Sequence, residues 1–391
     1  MKKKLNIGLV GSGMMGRAHS FSWANVNRFF DSDFEPVLKA FSFGSRENLA
    51  NKFAEKQGWE EVVPRWEDLV ERDDIDVIDI SAPTYLHHDI FIAAAKNGKH
   101  IFCEKPAAIT YAEAKDMAET GDKAGIVHLL NHNYRFVPAI AYAKQLIDEG
   151  RLGQIYHWRG AYLQDWVMSP DFPLTWHFYK EKAGGGPHYD LNSHLVDLAR
   201  FLVGEIAAVT GMNKTFIKER PLPGENAGVF EAGGDQVFSE KGPVTIDDAC
   251  FFVCDFENGA LGSFDTSRFA AGRNNWNDFE IYGSKGALKF NFQEMNDLLF
   301  LDLDMPAAEQ GYRRISATTG NHPYAGVWWA PGHLIGYENT FFHAKADFLN
   351  AISKGTQVSP NLHDGAACIR ILEAVNKSVE EKRVVEVKEI V

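Results

Sequence analysis

Short apolar runs alternate with segments of helical periodicity over the first third of the chain. Buried strands typically appear as about four to eight apolar residues between turn signals, whereas helices repeat apolar residues at i, i+3 and i+4. This pattern predicts strands over residues 5–10, 37–43, 75–80, 100–103 and 126–130. The segments between them have the helical pattern, clearest over residues 47–57, 90–97 and 111–125. Regular alternation of this kind indicates an α/β fold, a Rossmann-type doubly wound parallel sheet.

The pattern changes near residue 138, where a helix is followed by an aromatic-rich strand and then by several more strands. Asn258-Gly259 and residues 283–286 separate apolar runs and predict hairpins. We therefore expect an α/β domain over 1–131 and an α+β domain over 132–391, the second with an open, mainly antiparallel sheet. The last helix is able to pack back on the N-terminal domain. Residues 219–243, rich in Gly, Pro and acidic residues, predict a surface loop.

Composition narrows the class of function. The chain has 391 residues, of which 45% are hydrophobic, and a formal charge of −13. This charge argues against nucleic acid and against an anionic membrane surface as partners, since both need a basic face. A small-molecule substrate and a cytoplasmic location are expected, with reduced, mostly buried thiols at Cys103, Cys250, Cys254 and Cys368. An open sheet face commonly pairs with a second copy, so we expect a homodimer or homotetramer.

The first strand runs into three glycines at dinucleotide-binding spacing. Gly11 would allow the tight turn, Gly13 would let the backbone approach a pyrophosphate, and Gly16 would let the next helix pack closely. Met14 and Met15 begin that helix, whose free N–H groups would face the phosphates. The motif predicts a dinucleotide-binding site in the domain over 1–131, so substrate binding and oligomerisation are expected of the α+β domain over 132–391.

Lys105 follows a predicted sheet strand, within Glu104-Lys105-Pro106. Ligands collect at the carboxyl ends of strands in doubly wound folds, and Pro106 favours an extended Lys105 that aims its amine into a cleft. The ordinary alternative is a solvated lysine in a loop. Further candidates to contact the dinucleotide at these strand ends are Ser81, Pro83, His87, Glu104, Lys105 and Asn133.

A second cluster follows the triple glycine at residues 184–186. Such glycines would let the backbone approach a ligand, and Asp190 and His194, four residues apart, would share one helix face. The alternative is a helix N-terminus with a dipole-favoured Asp190 and a surface His194. No third ligand stands at a suitable spacing, so a metal site is not predicted.

These motifs together resemble the Gfo/Idh/MocA family of nicotinamide-dependent sugar and cyclitol oxidoreductases. The resemblance covers nearly the whole length and includes Tyr134-Arg135-Phe136 with Pro138, and residues 283–286. It implies that Lys105, Asp190 and His194 form the catalytic group.

Other motifs resemble the branch of the family that contains levoglucosan dehydrogenase and related pyranoside dehydrogenases. They are Trp176, residues 219–221 and residues 332–337. The chain departs from the family pattern at Pro187-His188, where small or aliphatic residues are common, and at His177, where arginine is frequent. Both departures bear on the identity of the sugar.

The end of the second strand bears on the choice between NAD and NADP. This corner has Ser45 and Arg46 rather than the acidic residue that usually accepts the ribose hydroxyls of NAD. Arg46 would suit a 2′-phosphate, which favours NADP. The resembling branch of the family has similar residues at this corner and uses NAD, in which case Arg46 would stack on the adenine. The sequence leaves both coenzymes open.

The expected reaction is hydride transfer between a ring hydroxyl of a sugar, anhydrosugar, glycoside or cyclitol and NAD(P). His194 is the preferred base because imidazole titrates near neutrality, Asp190 would orient it, and Lys105 would stabilise the developing alkoxide. Substrate-contacting candidates are Tyr162, Gln164, Trp176, His333 and Tyr337. Two alternatives remain, a lyase or glycosidase that uses a retained nicotinamide for transient oxidation, and a non-catalytic nucleotide-sensing regulator.

Overall fold

The computed structural model describes residues 2–44, 47–223 and 240–391. Ser45 and Arg46, and residues 224–239 of the predicted surface loop, lie outside these ranges. Across the described ranges, no helix has the long apolar stretch that crossing a bilayer would take.

The strands are numbered in chain order. They are β1 (Lys3–Val10), β2 (Phe34–Ser42), β3 (Glu61–Val63), β4 (Val77–Ile80), β5 (His100–Glu104), β6 (His128–Asn131), β7 (Ile155–Leu163), β8 (Ile206–Lys214), β9 (Glu219–Pro221), β10 (Lys241–Pro243), β11 (Ala249–Phe256), β12 (Leu261–Ser267), β13 (Trp276–Gly283), β14 (Gly286–Asn291), β15 (Asp297–Asp302), β16 (Arg313–Ser316) and β17 (Val385–Glu386).

The α-helices are numbered in the same way. They are α1 (Met14–Asn25), α2 (Glu47–Gln57), α3 (Trp66–Val70), α4 (His87–Lys96), α5 (Tyr111–Ala124), α6 (Pro138–Asp148), α7 (Lys180–Ala183), α8 (Pro187–Asp190), α9 (Asn192–Leu202), α10 (Asn339–Lys354) and α11 (Leu362–Glu381).

The chain divides into two units. The first comprises Met1–Ala141 and Ala317–Ala367, and the second comprises Tyr142–Ser316 and Cys368–Val391. The functional domain boundary between residues 131 and 132 stays a prediction.

The first unit is built on a parallel six-stranded sheet in the order β3-β2-β1-β4-β5-β6. The predicted doubly wound sheet is therefore confirmed. Strand order reverses between β1 and β4, which is where a crevice for a ligand opens in folds of this kind.

Helix α10, from the distant C-terminal segment, completes the core of the first unit. Its Phe348 and Leu349 are fully buried in the same cluster as Trp23 of α1 and Phe102 of β5. The Phe348 ring meets the rings of both residues edge-on. The helix thus buries its apolar face against the sheet.

The second unit contains a nine-stranded sheet in the order β16-β15-β14-β13-β7-β12-β11-β8-β17. Its strands pair antiparallel except β7 with β12, which are parallel. Along β11, Cys250, Phe252 and Cys254 are buried while Phe251 and Val253 are exposed. This alternation gives the sheet one packed face and one open face, as the α+β prediction requires.

Two local predictions differ from the structure. The ends of the predicted surface loop pair with each other as β9 and β10, and Arg220 in β9 is fully buried. The single helix predicted to carry both Asp190 and His194 is two helices, α8 and α9, with Leu191 between them. Asp190 and His194 therefore belong to consecutive helices rather than to one.

Candidate functional site

The glycine cradle lies at the crevice between β1 and β4. Gly11 has φ +113°, and a Cβ on it would lie 2.5 Å from the carbonyl oxygen of Ser81. A Cβ on Gly16 would lie 2.3 Å from the carbonyl oxygen of Gly11. A Cβ on Gly13 would meet no described atom within 4 Å. The first and third glycines are thus required by packing, while the second borders open space, as the predicted approach of a pyrophosphate requires.

The start of α1 suits an anion. Gly13 is its N-cap, and no side chain in the described part of the chain caps it. Met14 and Met15 occupy the first turn, so no carboxylate competes there for the free N–H groups. These N–H groups would hold the dinucleotide phosphates. Ser45 and Arg46, predicted at the ribose corner, lie outside the described residues.

Lys105 directly follows β5, and its backbone N–H donates to Oε2 of Glu104 at 3.2 Å. Oε1 of Glu104 accepts from Nδ2 of Asn131 at 2.6 Å and lies 2.9 Å from Nε2 of His19. Burial opposes ionisation of Glu104, but these hydrogen bonds and the His19 charge hold its pKa below the ordinary value. Glu104 is therefore an ionised, buried support for the Lys105 backbone.

His87, at the start of α4, joins the loops that follow β4 and β5. Its ring nitrogens lie 3.0 Å from the carbonyl oxygen of Pro106 and 2.9 Å from that of Ala82. Burial lowers the pKa of His87, so the neutral ring donates one of these hydrogen bonds. Pro83 lies in the first of the two loops, whereas Asn133 donates to Oγ1 of Thr340 at 3.0 Å. Contacts of these residues with a dinucleotide stay predictions.

The three glycines at 184–186 allow close packing of their backbone against other residues of the chain. A Cβ on Gly184 would lie 2.4 Å from the Tyr189 ring, and one on Gly186 would lie 1.8 Å from the carbonyl oxygen of Asp247. Asp247 also accepts backbone N–H groups from Gly186 at 2.7 Å and from His188 at 2.9 Å. The glycine backbone, which was predicted to approach a ligand, lies instead against Asp247 and Tyr189 of the same chain.

His188, one of the departures from the family pattern, is buried. Its Nε2 lies 2.8 Å from the carbonyl oxygen of Leu372 in α11, and burial lowers its pKa. The neutral ring therefore supports the glycine-rich turn from inside the unit.

Asp190 is held by an arginine from a distant strand end. Nη2 of Arg268, directly after β12, donates to Oδ2 of Asp190 at 2.5 Å. The Arg268 side chain is almost fully buried and lies over the ring of Trp166 at 5.2 Å. This charge-assisted contact fixes the carboxylate of Asp190.

A chain of contacts links the other predicted residues of the second unit. The rings of His194 and Tyr162 are 5.8 Å apart, and the Tyr162 hydroxyl donates to Oδ1 of Asn275 at 2.7 Å. The same oxygen accepts from Gln164 at 3.0 Å, and Gln164 accepts the indole N–H of Trp166 at 2.7 Å. Arg268 lies over the Trp166 ring and also donates to Asp190, so this network includes Asp190.

Trp176 adjoins the same network. Its ring stacks on His177 at 3.8 Å, and His177 meets Trp166 edge-on at 6.2 Å. Buried Arg220 donates to the carbonyl oxygens of Val167 at 2.6 Å and Ser169 at 2.8 Å, which holds this loop in place. Aromatic faces and hydrogen-bonding groups thus lie together, as a pyranose requires.

His333 and Tyr337 lie in the first unit. His333 is exposed, with Nδ1 2.9 Å from the carbonyl oxygen of Ala330. The Tyr337 ring packs edge-on against Phe341 at 5.1 Å and Tyr134 at 6.5 Å. Their predicted substrate contacts stay predictions.

Sequence reasoning missed Arg268, Asn275, Trp166 and Asp247. Arg268 had a visible signal, because an arginine at the end of a predicted core strand needs a buried partner. The other three carry no local pattern, since their roles come from contacts across the fold.

Family models match both halves of the chain. One, described as the oxidoreductase family with an NAD-binding Rossmann fold, matches residues 5–132, and the other, the GFO/IDH/MocA C-terminal domain, matches residues 140–289. Levoglucosan dehydrogenase of Pseudarthrobacter phenanthrenivorans is 40% identical over 99% of this chain and 99% of that protein. Myo-inositol 2-dehydrogenase of Thermotoga maritima is 26% identical over 99% of this chain and 100% of that protein.

A solved structure agrees with these relatives. Levoglucosan dehydrogenase in complex with NADH and levoglucosan matches with a TM-score of 0.92 and 39% identity, covering 98% of this chain and 100% of that one. The fold, family and general function predicted from the sequence are thereby confirmed. The chain belongs to the Gfo/Idh/MocA family and is an NAD(P)-dependent oxidoreductase of the sugar and cyclitol dehydrogenase class.

Proposed function

We propose that this chain is an NAD-dependent dehydrogenase of an anhydrosugar or pyranoside. The observation that carries the proposal is the network in the second unit, where Asp190 and His194 are joined to Tyr162, Gln164 and tryptophan rings. Aromatic faces cover the apolar side of a pyranose, and amide and hydroxyl groups meet its hydroxyls. The relative that is 40% identical over nearly the whole chain acts on levoglucosan by its name, which supports this substrate class.

The dinucleotide would be held by the glycine cradle and the start of α1. The nicotinamide supplies the hydride acceptor when bound. We favour NAD because the matching levoglucosan dehydrogenase structure contains NADH. The four cysteines are buried and are not joined in disulfides, which supports a reducing location such as the cytoplasm.

Each residue of the proposed catalytic group has its own task. His194 accepts the hydroxyl proton as hydride leaves the carbon. Asp190, oriented by Arg268, holds the imidazole or a neighbouring hydroxyl. Lys105, whose backbone is tied to ionised Glu104, donates to the reacting oxygen and stabilises the negative charge that develops on it.

A substrate panel tests the proposal. The purified chain is mixed with levoglucosan, other pyranosides and inositols, each with NAD and with NADP, and nicotinamide absorbance is followed. We expect reduction with an anhydrosugar or pyranoside and NAD, with kcat/KM at least ~10-fold lower for NADP, a preference of about 1.4 kcal/mol. A dehydrated or hydrolysed sugar without net reduced coenzyme would instead support the retained-nicotinamide alternative.

A double-mutant cycle tests the Arg268–Asp190 contact. We expect Arg268→Gln and Asp190→Asn each to lower kcat/KM by about 10- to 100-fold, and the double variant to be hardly slower than the worse single one, because coupled residues are non-additive. Arg273→Gln is the matched control, since Arg273 is exposed and also stacks on a tryptophan, Trp276, at 3.7 Å. Losses that multiply would show that the two residues act independently.

The open sheet face supports a homo-oligomer. Met212, Phe251, Val253 and Leu261, on neighbouring strands, are between 41% and 67% exposed. Sedimentation velocity of the wild type should give the mass of two or four chains. The Val253→Asp variant should have a mass closer to that of the monomer, because the substitution places a charge in the buried interface. Val327→Asp, on the first unit, is the control. A wild-type monomer at micromolar concentration would refute the homo-oligomer.

A further inference from the structure

A histidine lies between two carboxylates in the interior of the first unit. Nδ1 of His19, in α1, is 2.6 Å from Oδ1 of Asp79 at the end of β4. Its Nε2 is 2.9 Å from Oε1 of Glu104 at the end of β5. His19 and Asp79 are fully buried and Glu104 nearly so. One ring therefore joins the cradle helix to two sheet strands.

The contacts of this cluster and the pKa directions of its carboxyl groups together indicate where its protons lie. A neutral imidazole has one N–H, so its second nitrogen would direct a lone pair at a carboxylate. The carboxylates already accept from other donors, Asp79 from the indole N–H of Trp23 at 2.5 Å and Glu104 from Asn131 at 2.6 Å. Asp79 and Glu104 are both ionised, because the neighbouring His19 charge and these hydrogen bonds hold their pKa values below the ordinary range, against the effect of burial. Between two ionised acceptors, both ring nitrogens of His19 donate. The ring is an imidazolium.

The charges in this interior cancel. Lys345 of α10 is fully buried, with Nζ 3.6 Å from Oδ2 of Asp79 and 4.2 Å from the centroid of the Phe102 ring. His19 itself meets the Phe102 ring edge-on. Two carboxylates thus face two cations, which offsets part of the cost of burying each charge.

The pKa directions agree with this arrangement. Burial opposes the charge on His19, yet Asp79 and the two hydrogen bonds hold the pKa of His19 above its ordinary value. Burial lowers the pKa of Lys345 to about 8, against the attraction of Asp79.

The cluster ends at the proposed catalytic lysine. Oε1 of Glu104 faces His19, and Oε2 of the same carboxylate accepts the backbone N–H of Lys105 at 3.2 Å. We propose that His19, as a buried imidazolium, is a positioning residue that holds Glu104 and through it Lys105 in place for hydride transfer. This inference rests on the proposed function, because it gives His19 a part in the same reaction.

A double-mutant cycle separates positioning from stability. His19→Gln keeps a donor and removes the charge. We expect it to lower kcat by about 10-fold while changing KM for NAD less than about 3-fold, and Lys105→Ala to lower kcat by at least ~100-fold. When Lys105 is already alanine, adding His19→Gln should change kcat by less than about 2-fold, since no lysine amine remains to be positioned.

The surface provides a matched control. His88 also lies between two carboxylates, 3.1 Å from Asp89 and 2.9 Å from Asp116, and is partly exposed. His88→Gln should leave kcat within about 2-fold of wild type.

Other results of this cycle would refute either the positioning role of His19 or the proposed catalytic group. The positioning role alone would be refuted if His19→Gln lowered kcat equally in the wild type and in the Lys105→Ala variant. It would also be refuted if His19→Gln left the kcat of the wild type unchanged. Normal turnover of Lys105→Ala would remove both this role and the proposed catalytic group. If His19→Gln does not fold, Glu104→Gln takes its place in the cycle.

Nitrogen-15 NMR of the histidine-labelled wild type tests the charge on His19. An unprotonated His19 nitrogen at about pH 8, above the ordinary histidine pKa, would refute the imidazolium.

Discussion

The contact of His19 with Asp79 and Glu104 is the interaction on which the first unit most depends. It connects α1, which begins at the glycine cradle, with the ends of β4 and β5, and Glu104 in turn holds the backbone of Lys105. An unpaired charge in this interior would cost several kcal/mol, so the cluster is stable only when all its partners are present. The same requirement explains why α10 supplies the buried cation Lys345.

The second unit uses a similar principle with neutral groups. One oxygen of Asn275 accepts from both Tyr162 and Gln164, and Gln164 in turn orients Trp166 beneath Arg268. Side chains that already hold one another lose little freedom when a substrate arrives, so more of the binding free energy remains for affinity and orientation. The proposed sugar site is thus largely built before any sugar is bound.

Local patterns predicted the elements and the glycine cradle well. Apolar periodicity marks the parallel strands, and the positions of Gly11 and Gly16 reflect close packing in the structure, while Gly13 between them borders open space. Local sequence patterns do not predict that Arg268 binds Asp190, because the two residues are 78 positions apart in sequence. The helix break at Leu191 and the burial of Arg220 likewise depend on tertiary contacts that periodicity does not encode.

In the proposed reaction, hydride leaves a carbon of the sugar ring and departs with the coenzyme. The most direct measurement uses the sugar with the highest kcat/KM in the substrate panel, carrying deuterium on its ring carbons, with NAD in excess and mass analysis of both products. We expect NADH that contains one deuterium, formed in equal amount to a ketosugar that has lost one. Deuterium that returns to the sugar product, without accumulation of reduced coenzyme, would rule out this reaction.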